Sequence, residues 1–87
     1  MMGECYMCGR YAQLEHHHVF GAARRKISDK YGAVVALCHD CHNEPPDGVH
    51  FNKTNRLALQ AEYQQKLMKE NNWTVRDFIE LFGKSYI

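Results

Sequence analysis

At 87 residues with a formal net charge of +1, the chain has room for one domain with a modest apolar core and lacks the charge excess of a protein that coats nucleic acid. Its 45% hydrophobic content excludes wholesale disorder, and no apolar run approaches the roughly 20 residues that span a bilayer. Domains this short often depend on a metal or a disulfide to stay folded.

In chain order, Cys5-Tyr6-Met7-Cys8-Gly9 has the form of a knuckle, a tight turn in which glycine relieves backbone crowding. Residues 13–20 carry Leu14, Val19 and Phe20 and predict a strand. Residues 21–32 form a basic connection, with Arg24, Arg25, Lys26 and Lys30 close together and a short helical turn expected after Ser28. Residues 33–37, Ala-Val-Val-Ala-Leu, are the clearest strand, β-branched and apolar. Two strands joined by a long loop predict an antiparallel pair. A short helix is expected from about Asp40 and must end at Pro45-Pro46. A longer helix, capped by Asn52 or Thr54, is expected to run over about 54–70, with Leu59, Tyr63 and Leu67 four apart and Leu57, Ala61 and Met68 widening the stripe. Asn71-Asn72 stops it. A last helix over 75–82 is expected to follow the N-cap Thr74, with Asp77 in the capping-box position and Gly83 at its end.

All four cysteines fall in two Cys-x-x-Cys pairs, Cys5/Cys8 and Cys38/Cys41. Two residues between thiolates let a knuckle present both sulfurs to one tetrahedral ion, so the pairs predict a structural zinc site. About thirty residues separate the pairs, more than the usual ribbon spacing of about 15–20, which leaves an insertion between them. Buried free thiols and a redox dithiol are the rival readings. Paired cysteines and the absence of an apolar leader favour a reducing cytoplasm.

The insertion holds Glu15-His16-His17-His18. Adjacent histidines are poor packing residues, because each buried imidazole brings two nitrogens that need partners. They suit phosphate chemistry, in which one neutral imidazole binds a divalent cation and another, with an unperturbed pKa near 6.5, takes a proton from water. The rival reading is a solvated histidine run. His42 and Asn43 follow the second knuckle directly, His50 follows Gly48-Val49, and His39 lies between the thiolates, where it is expected to be exposed.

Cys-x-x-Cys, then Glu-x-His-His with a following aliphatic residue, then Leu-Cys-x-x-Cys-His, resembles the HNH endonuclease family. The His-His-Val-Phe-Gly and Gly-Val-His segments resemble its small bacteriophage-type members. The resemblance covers about residues 5–56. It implies an α+β chain, a zinc-stapled ββα-metal domain of antiparallel hairpin and helix, to which the C-terminal helices are additions. It implies His17 as a ligand of a catalytic divalent cation, His18 as the general base and Glu15 as an acidic support. Cys5, Cys8, Cys38 and Cys41 match the structural zinc ligands. His42 matches a cation ligand from the helix, while His50 or Asn43 completes or orients the site and His16 lends support. Strand alternation by itself pairs His16 with His18 and sets His17 on the other face. A bulge, a strong twist or a phosphate lying between the two side chains reconciles this with the implied roles of His17 and His18.

The function so implied is hydrolysis of DNA phosphodiesters with magnesium, manganese, nickel or zinc as the catalytic ion, leaving 5′-phosphate and 3′-hydroxyl ends. DNA is then the partner, a membrane is not, and a homodimer is one route to double-strand breaks. Arg24, Arg25 and Lys26 are expected to grip backbone phosphates, or else to form a solvated basic loop. A bacteriophage-type member acts in the cytoplasm of a bacterial host. The alternative from another class is a noncatalytic zinc module that binds nucleic acid or protein.

Overall fold

The computed structural model describes Met1–Ile87 as an α+β arrangement of one three-stranded antiparallel sheet and four α-helices. Strands β1 (Met2–Glu4), β2 (Tyr11–His18) and β3 (Val34–Cys38) lie in the order β1-β2-β3. The helices are α1 (Arg25–Tyr31), α2 (His39–Asn43), α3 (Lys53–Asn71) and α4 (Val75–Phe82). No helix is long and apolar enough to cross a membrane.

The β2–β3 pair runs without a bulge from Leu14↔Cys38 to His18↔Val34, so side chains alternate strictly. Glu15 and His17 share a face with Leu37 and Val35, while His16 and His18 share the other with Ala36 and Val34. Of the alternatives that would reconcile strand alternation with the implied roles of His17 and His18, the bulge is therefore absent. Strand β1 was not anticipated; it pairs with the start of β2, Met2 opposite Gln13 and Glu4 opposite Tyr11. A three-residue strand of Met-Gly-Glu has no periodicity of its own to read, and its pairing with β2 defines it.

The basic connection is more helical than expected. A 3-10 turn at Ala22–Arg24 leads straight into α1, whose Ile27 and Tyr31 pack against the core from one face before Gly32 ends the helix in the left-handed region at φ 73°. Helix α2 stops at Glu44, which is extended (φ −106°, ψ 123°) as a residue before proline prefers. The Asn52 side chain caps α3 by accepting from the Asn55 N–H. Thr74 and Asp77 form the reciprocal capping box of α4 at 3.2 and 2.9 Å.

The buried cluster draws on both halves of the chain. Phe20, just past β2, packs against Phe78, Phe82 and Tyr86 with ring centroids 5.4, 4.7 and 5.3 Å away. Tyr31 of α1 meets Trp73 edge to face at 4.8 Å. The C-terminal helices thus complete the core on which the sheet rests. On α3, Leu59, Tyr63 and Leu67 are buried as the period requires, whereas Leu57 is exposed, and Gln60 and Gln64 are buried in its place. Both glutamines are satisfied: Gln60 donates to the Val19 carbonyl, and Gln64 donates to Ser85 Oγ and accepts from the Tyr86 N–H.

Candidate metal centre

Two clusters of metal-ligating side chains lie at the two ends of the β2–β3 pair. In the first, the sulfurs of Cys5, Cys8, Cys38 and Cys41 all fall within 4.8 Å of one another, and none is in a disulfide. The Cys8 and Cys38 sulfurs are 3.8 Å apart. Thiolates about 2.3 Å from a tetrahedral ion are separated by about 3.8 Å, so this edge already has the length a zinc ion requires. Burial opposes ionisation of Cys5, but backbone hydrogen bonds from Cys8, Cys38 and Met7 outweigh it and hold the thiol below its ordinary pKa. Burial, with the neighbouring Cys38, Cys5 and Cys8 thiols, pushes the Cys41 thiol upward instead, so the four sulfurs titrate as one group and not as four independent thiols. The first knuckle is also tied to β3 by the Tyr6 N–H, which donates to the Ala36 carbonyl at 2.9 Å, and to α3 by the Tyr6 hydroxyl, which donates to Glu62 Oε1 at 2.7 Å. Four cysteines so placed suit a structural zinc ion.

The second cluster is His17, His42 and His50, whose ligand nitrogens also fall within 4.8 Å of one another. His17 comes from β2 and His42 from α2. His50 arrives from the loop after Pro45-Pro46, for a local reason. The short α2 leaves its last carbonyls unbonded, and the returning chain satisfies them: Val49 N–H donates to the Cys41 carbonyl at 2.8 Å and His50 N–H to the His42 carbonyl at 3.2 Å. This backbone clip sets the His50 ring beside the His42 ring, with the two Nε2 atoms 3.0 Å apart. Nitrogens about 2.1 Å from one ion and adjacent in its coordination sphere are about 3.0–3.4 Å apart, so the pair converges as co-ligands do.

His17 is buried, 4% exposed, and its Nε2 is one of two buried side-chain polar atoms in the protein without a hydrogen-bond partner. A buried imidazole nitrogen left bare costs free energy unless something binds it. Burial, with the nearby His42, His50 and His18, lowers the His17 pKa to about 4, which leaves the ring neutral and ligand-competent at neutral pH. Burial likewise lowers His50, with His42 and Arg56 adding to the effect.

Glu15 organises the cluster from below. Its Oε1 accepts from His42 Nδ1 at 2.8 Å and from Asn43 Nδ2 at 3.1 Å, and its Oε2 accepts from His39 Nδ1 at 3.0 Å. The hydrogen bonds from His42 and His39 lower the Glu15 pKa to about 2. With Nδ1 engaged, His42 turns Nε2 toward His50, the arrangement by which a carboxylate orients a metal-binding imidazole. His39 is exposed as expected, yet it bridges two carboxylates, donating through Nε2 to Glu44 Oε2 at 2.9 Å as well. Its link to Glu15 raises its pKa.

The remaining sequence-predicted residues separate. His18, on the face opposite His17, donates from Nε2 to Asp29 Oδ1 of α1 at 2.8 Å. Even so, His16, His17, His18, His42 and His50 border one cleft of about 180 Å³, which Gly21, Ala22 and Arg25 also line. The two imidazoles therefore approach one hollow from different sides of the strand end, which needs no bulge. His16 is exposed at the edge of this cleft. Arg25 lines the cleft, but Arg24 does not: its Nε donates to the Phe82 carbonyl at 3.1 Å, capping the end of α4. Arg24 is thus engaged at the end of α4, and of the expected basic trio only Arg25 borders the histidines. A larger hollow of about 600 Å³ beside the cysteines is walled by Asp40, Glu44 and Asp47 against Arg10, charges that repel a phosphate backbone. The sequence assigns no role to Asp29 or Gly48 and does not show the Val49–His50 clip; the brevity of α2, forced by Pro45, is the one available signal for the clip.

Comparison with known protein families, with curated proteins and with solved structures returns no match.

Proposed function

We propose that the chain is a metal-dependent DNA endonuclease of the HNH kind, hydrolysing phosphodiesters at the cleft between His17 and Arg25. The observation that carries this reading is the convergence of one ligand nitrogen each from His17, His42 and His50 within 4.8 Å of one another, with the buried Nε2 of His17 left without a hydrogen-bond partner. Three histidines suit a borderline divalent cation and leave coordination positions open for substrate, as catalytic sites do and closed structural sites do not. A cation held by His17, His42 and His50 would supply Lewis-acid polarisation of a non-bridging phosphate oxygen and stabilise charge on the departing 3′-oxygen.

The protein's own side chains supply the rest. His18 takes a proton from a water that attacks phosphorus; the bond from phosphorus to the 3′-oxygen breaks, and the 3′-oxygen takes its proton from solvent. General-base assistance of this kind contributes about 10²–10⁴ in rate. Arg25 pairs with a phosphate oxygen across the cleft and fixes the backbone without reading sequence. Glu15 and Asn43 hold His42 in position. A zinc ion held by Cys5, Cys8, Cys38 and Cys41 would staple the first knuckle to the end of β3, next to the helix that carries His42.

The test is supercoiled plasmid incubated with magnesium, manganese or nickel, with an EDTA control. Metal-dependent nicking that His18→Ala abolishes, with zinc content and fold retained, is the expected result. Binding to DNA without nicking in any of the three metals would overturn the enzyme reading in favour of a noncatalytic zinc module.

A further inference from the structure

Helix α1, part of the basic connection, contributes Arg25 to the lining of the histidine cleft. Arg25 and Asp29 are four residues apart on α1, so they project from the same face one turn from each other. Arg25 borders the cleft and Asp29 reaches His18. We infer that Asp29 is a positioning residue for His18: its carboxylate holds the imidazole by Nε2 and so leaves Nδ1 as the atom that accepts the proton. The inference rests on the nuclease reading above and adds to it a residue from outside the histidine and cysteine motifs.

The chemistry follows from what each group can do. An ionised carboxylate accepts hydrogen bonds only, so across the 2.8 Å contact the His18 Nε2 must carry the hydrogen. A neutral imidazole has one protonated nitrogen and one bare one, so fixing the proton on Nε2 bares Nδ1. Without a partner the ring samples both tautomers and rotates about its terminal torsion, and only part of the population presents a base in the right place. The His18 side chain is 22% exposed, sheltered enough for one hydrogen bond to decide its orientation, whereas Asp29 is 58% exposed and remains a solvated carboxylate. The backbone on both sides is anchored: the Gly21 N–H donates to the His18 carbonyl at 3.1 Å, and the Asp29 carbonyl accepts from Gly32 at 3.3 Å. Both partners are therefore held at their main chains, and the bond does not depend on a mobile loop.

The substitutions Asp29→Asn, Asp29→Ala and Asp29→Glu test this in the full-length, zinc-loaded protein. The first readout is independent of activity: side-chain ¹⁵N shifts of His18 without a second cation. The wild type should show a protonated Nε2 and a bare Nδ1, Asp29→Ala a mixture of tautomers, and Asp29→Glu a return toward the wild-type pattern. The second readout is steady-state plasmid nicking. Asp29→Asn and Asp29→Ala should lower kcat about 10- to 100-fold, as loss of a partner behind a functional histidine does. KM should change less than about twofold, and Asp29→Glu should recover much of kcat. A wild type that does not nick would overturn the nuclease reading and this role with it, even where the tautomer shifts. A nicking wild type whose His18 tautomer is the same in Asp29→Ala, or whose kcat is the same in that variant, would overturn the role of Asp29 alone.

Discussion

His17 and His50 meet edge to face, their ring centroids 5.1 Å apart at 86°, although one comes from the end of a strand and the other from a loop beyond two prolines. Gly48 is what lets the loop close. A Cβ at this position would lie 2.6 Å from the Glu44 nitrogen and 2.8 Å from its oxygen, both backbone atoms that cannot swing aside. The substitution Gly48→Ala should therefore push the Val49–His50 clip off α2. Overpacking of this kind costs about 1–3 kcal/mol of stability. Affinity for a second divalent cation should fall by at least about tenfold, within the range seen when support of a metal site is lost. Calorimetric titration with manganese or nickel checks this; wild-type affinity in the variant would mean that His50 is not a ligand.

His17 makes the stability of the protein depend on pH. Its folded-state pKa is about 4 against an ordinary 6.5, because burial and the neighbouring histidines disfavour the charged ring. Unfolding exposes it and lets it bind a proton, so between those values the unfolded state holds more protons. The contribution is complete above about pH 6.5 and is lost as pH falls toward 4, about 3 kcal/mol in all. Glu15 acts in the same direction at lower pH, its own contribution fading as pH falls from about 4.5 toward 2. In urea titrations without a second cation, His17→Phe should lack the loss between pH 6.5 and 4 that the wild type shows. The cysteine site is common to both proteins, so the difference isolates His17. Parallel pH profiles would count against the buried, bare imidazole.

Removal of the first ion should unfold the domain. Structural zinc contributes about 10–16 kcal/mol of binding free energy at neutral pH, at least as much as the whole net stability of a small domain. The four sulfurs tie the segment before β2 to the junction of β3 and α2. Cys41→Ser, or a strong chelator, should abolish the cooperative thermal transition seen by circular dichroism, whereas His17→Ala should keep it and lose only the second cation. Retention of a cooperative transition after complete zinc loss would show that the aromatic cluster around Phe20 suffices for folding.

Much of this was legible in the residues themselves. Thr74, Asp77 and Gly83 announce α4 through capping chemistry local to a few positions, and the Cys-x-x-Cys pairs announce their cluster through spacing. What could not be read was whatever depends on a partner distant in the chain. Strand β1 exists only against β2. His50 reaches His42 because carbonyls left over by a shortened helix need donors. Gln60 and Gln64 occupy buried positions on α3 because the Val19 carbonyl, Ser85 and the Tyr86 N–H await them, whereas hydrophobic periodicity points to Leu57. The basic run was equally ambiguous, since composition does not tell an arginine that faces a ligand from one that caps a helix.

Arg24 and Arg25 adjoin in sequence and should respond oppositely to the same substitution. Arg24 donates to the Phe82 carbonyl, one of the groups that a helix C-terminus leaves unbonded, and its guanidinium lies over Gly83. Loss of a charged hydrogen bond of this kind costs about 1.5–3 kcal/mol, so Arg24→Ala should lower Tm by several degrees. Its effect on DNA affinity, measured well below Tm, should be small. Arg25 lines the histidine cleft, and its side chain bonds to no helix end. Arg25→Ala should leave Tm nearly unchanged, weaken DNA binding evenly across sequences, and reduce the slope of log affinity against log salt by about 1, as loss of one phosphate contact does. Fluorescence anisotropy at several salt concentrations, beside thermal melts of both variants, separates the two roles. If Arg24→Ala weakened binding as much as Arg25→Ala while melting like the wild type, the assignment of Arg24 to the end of α4 would fall, and the basic segment would act as one continuous phosphate-gripping loop.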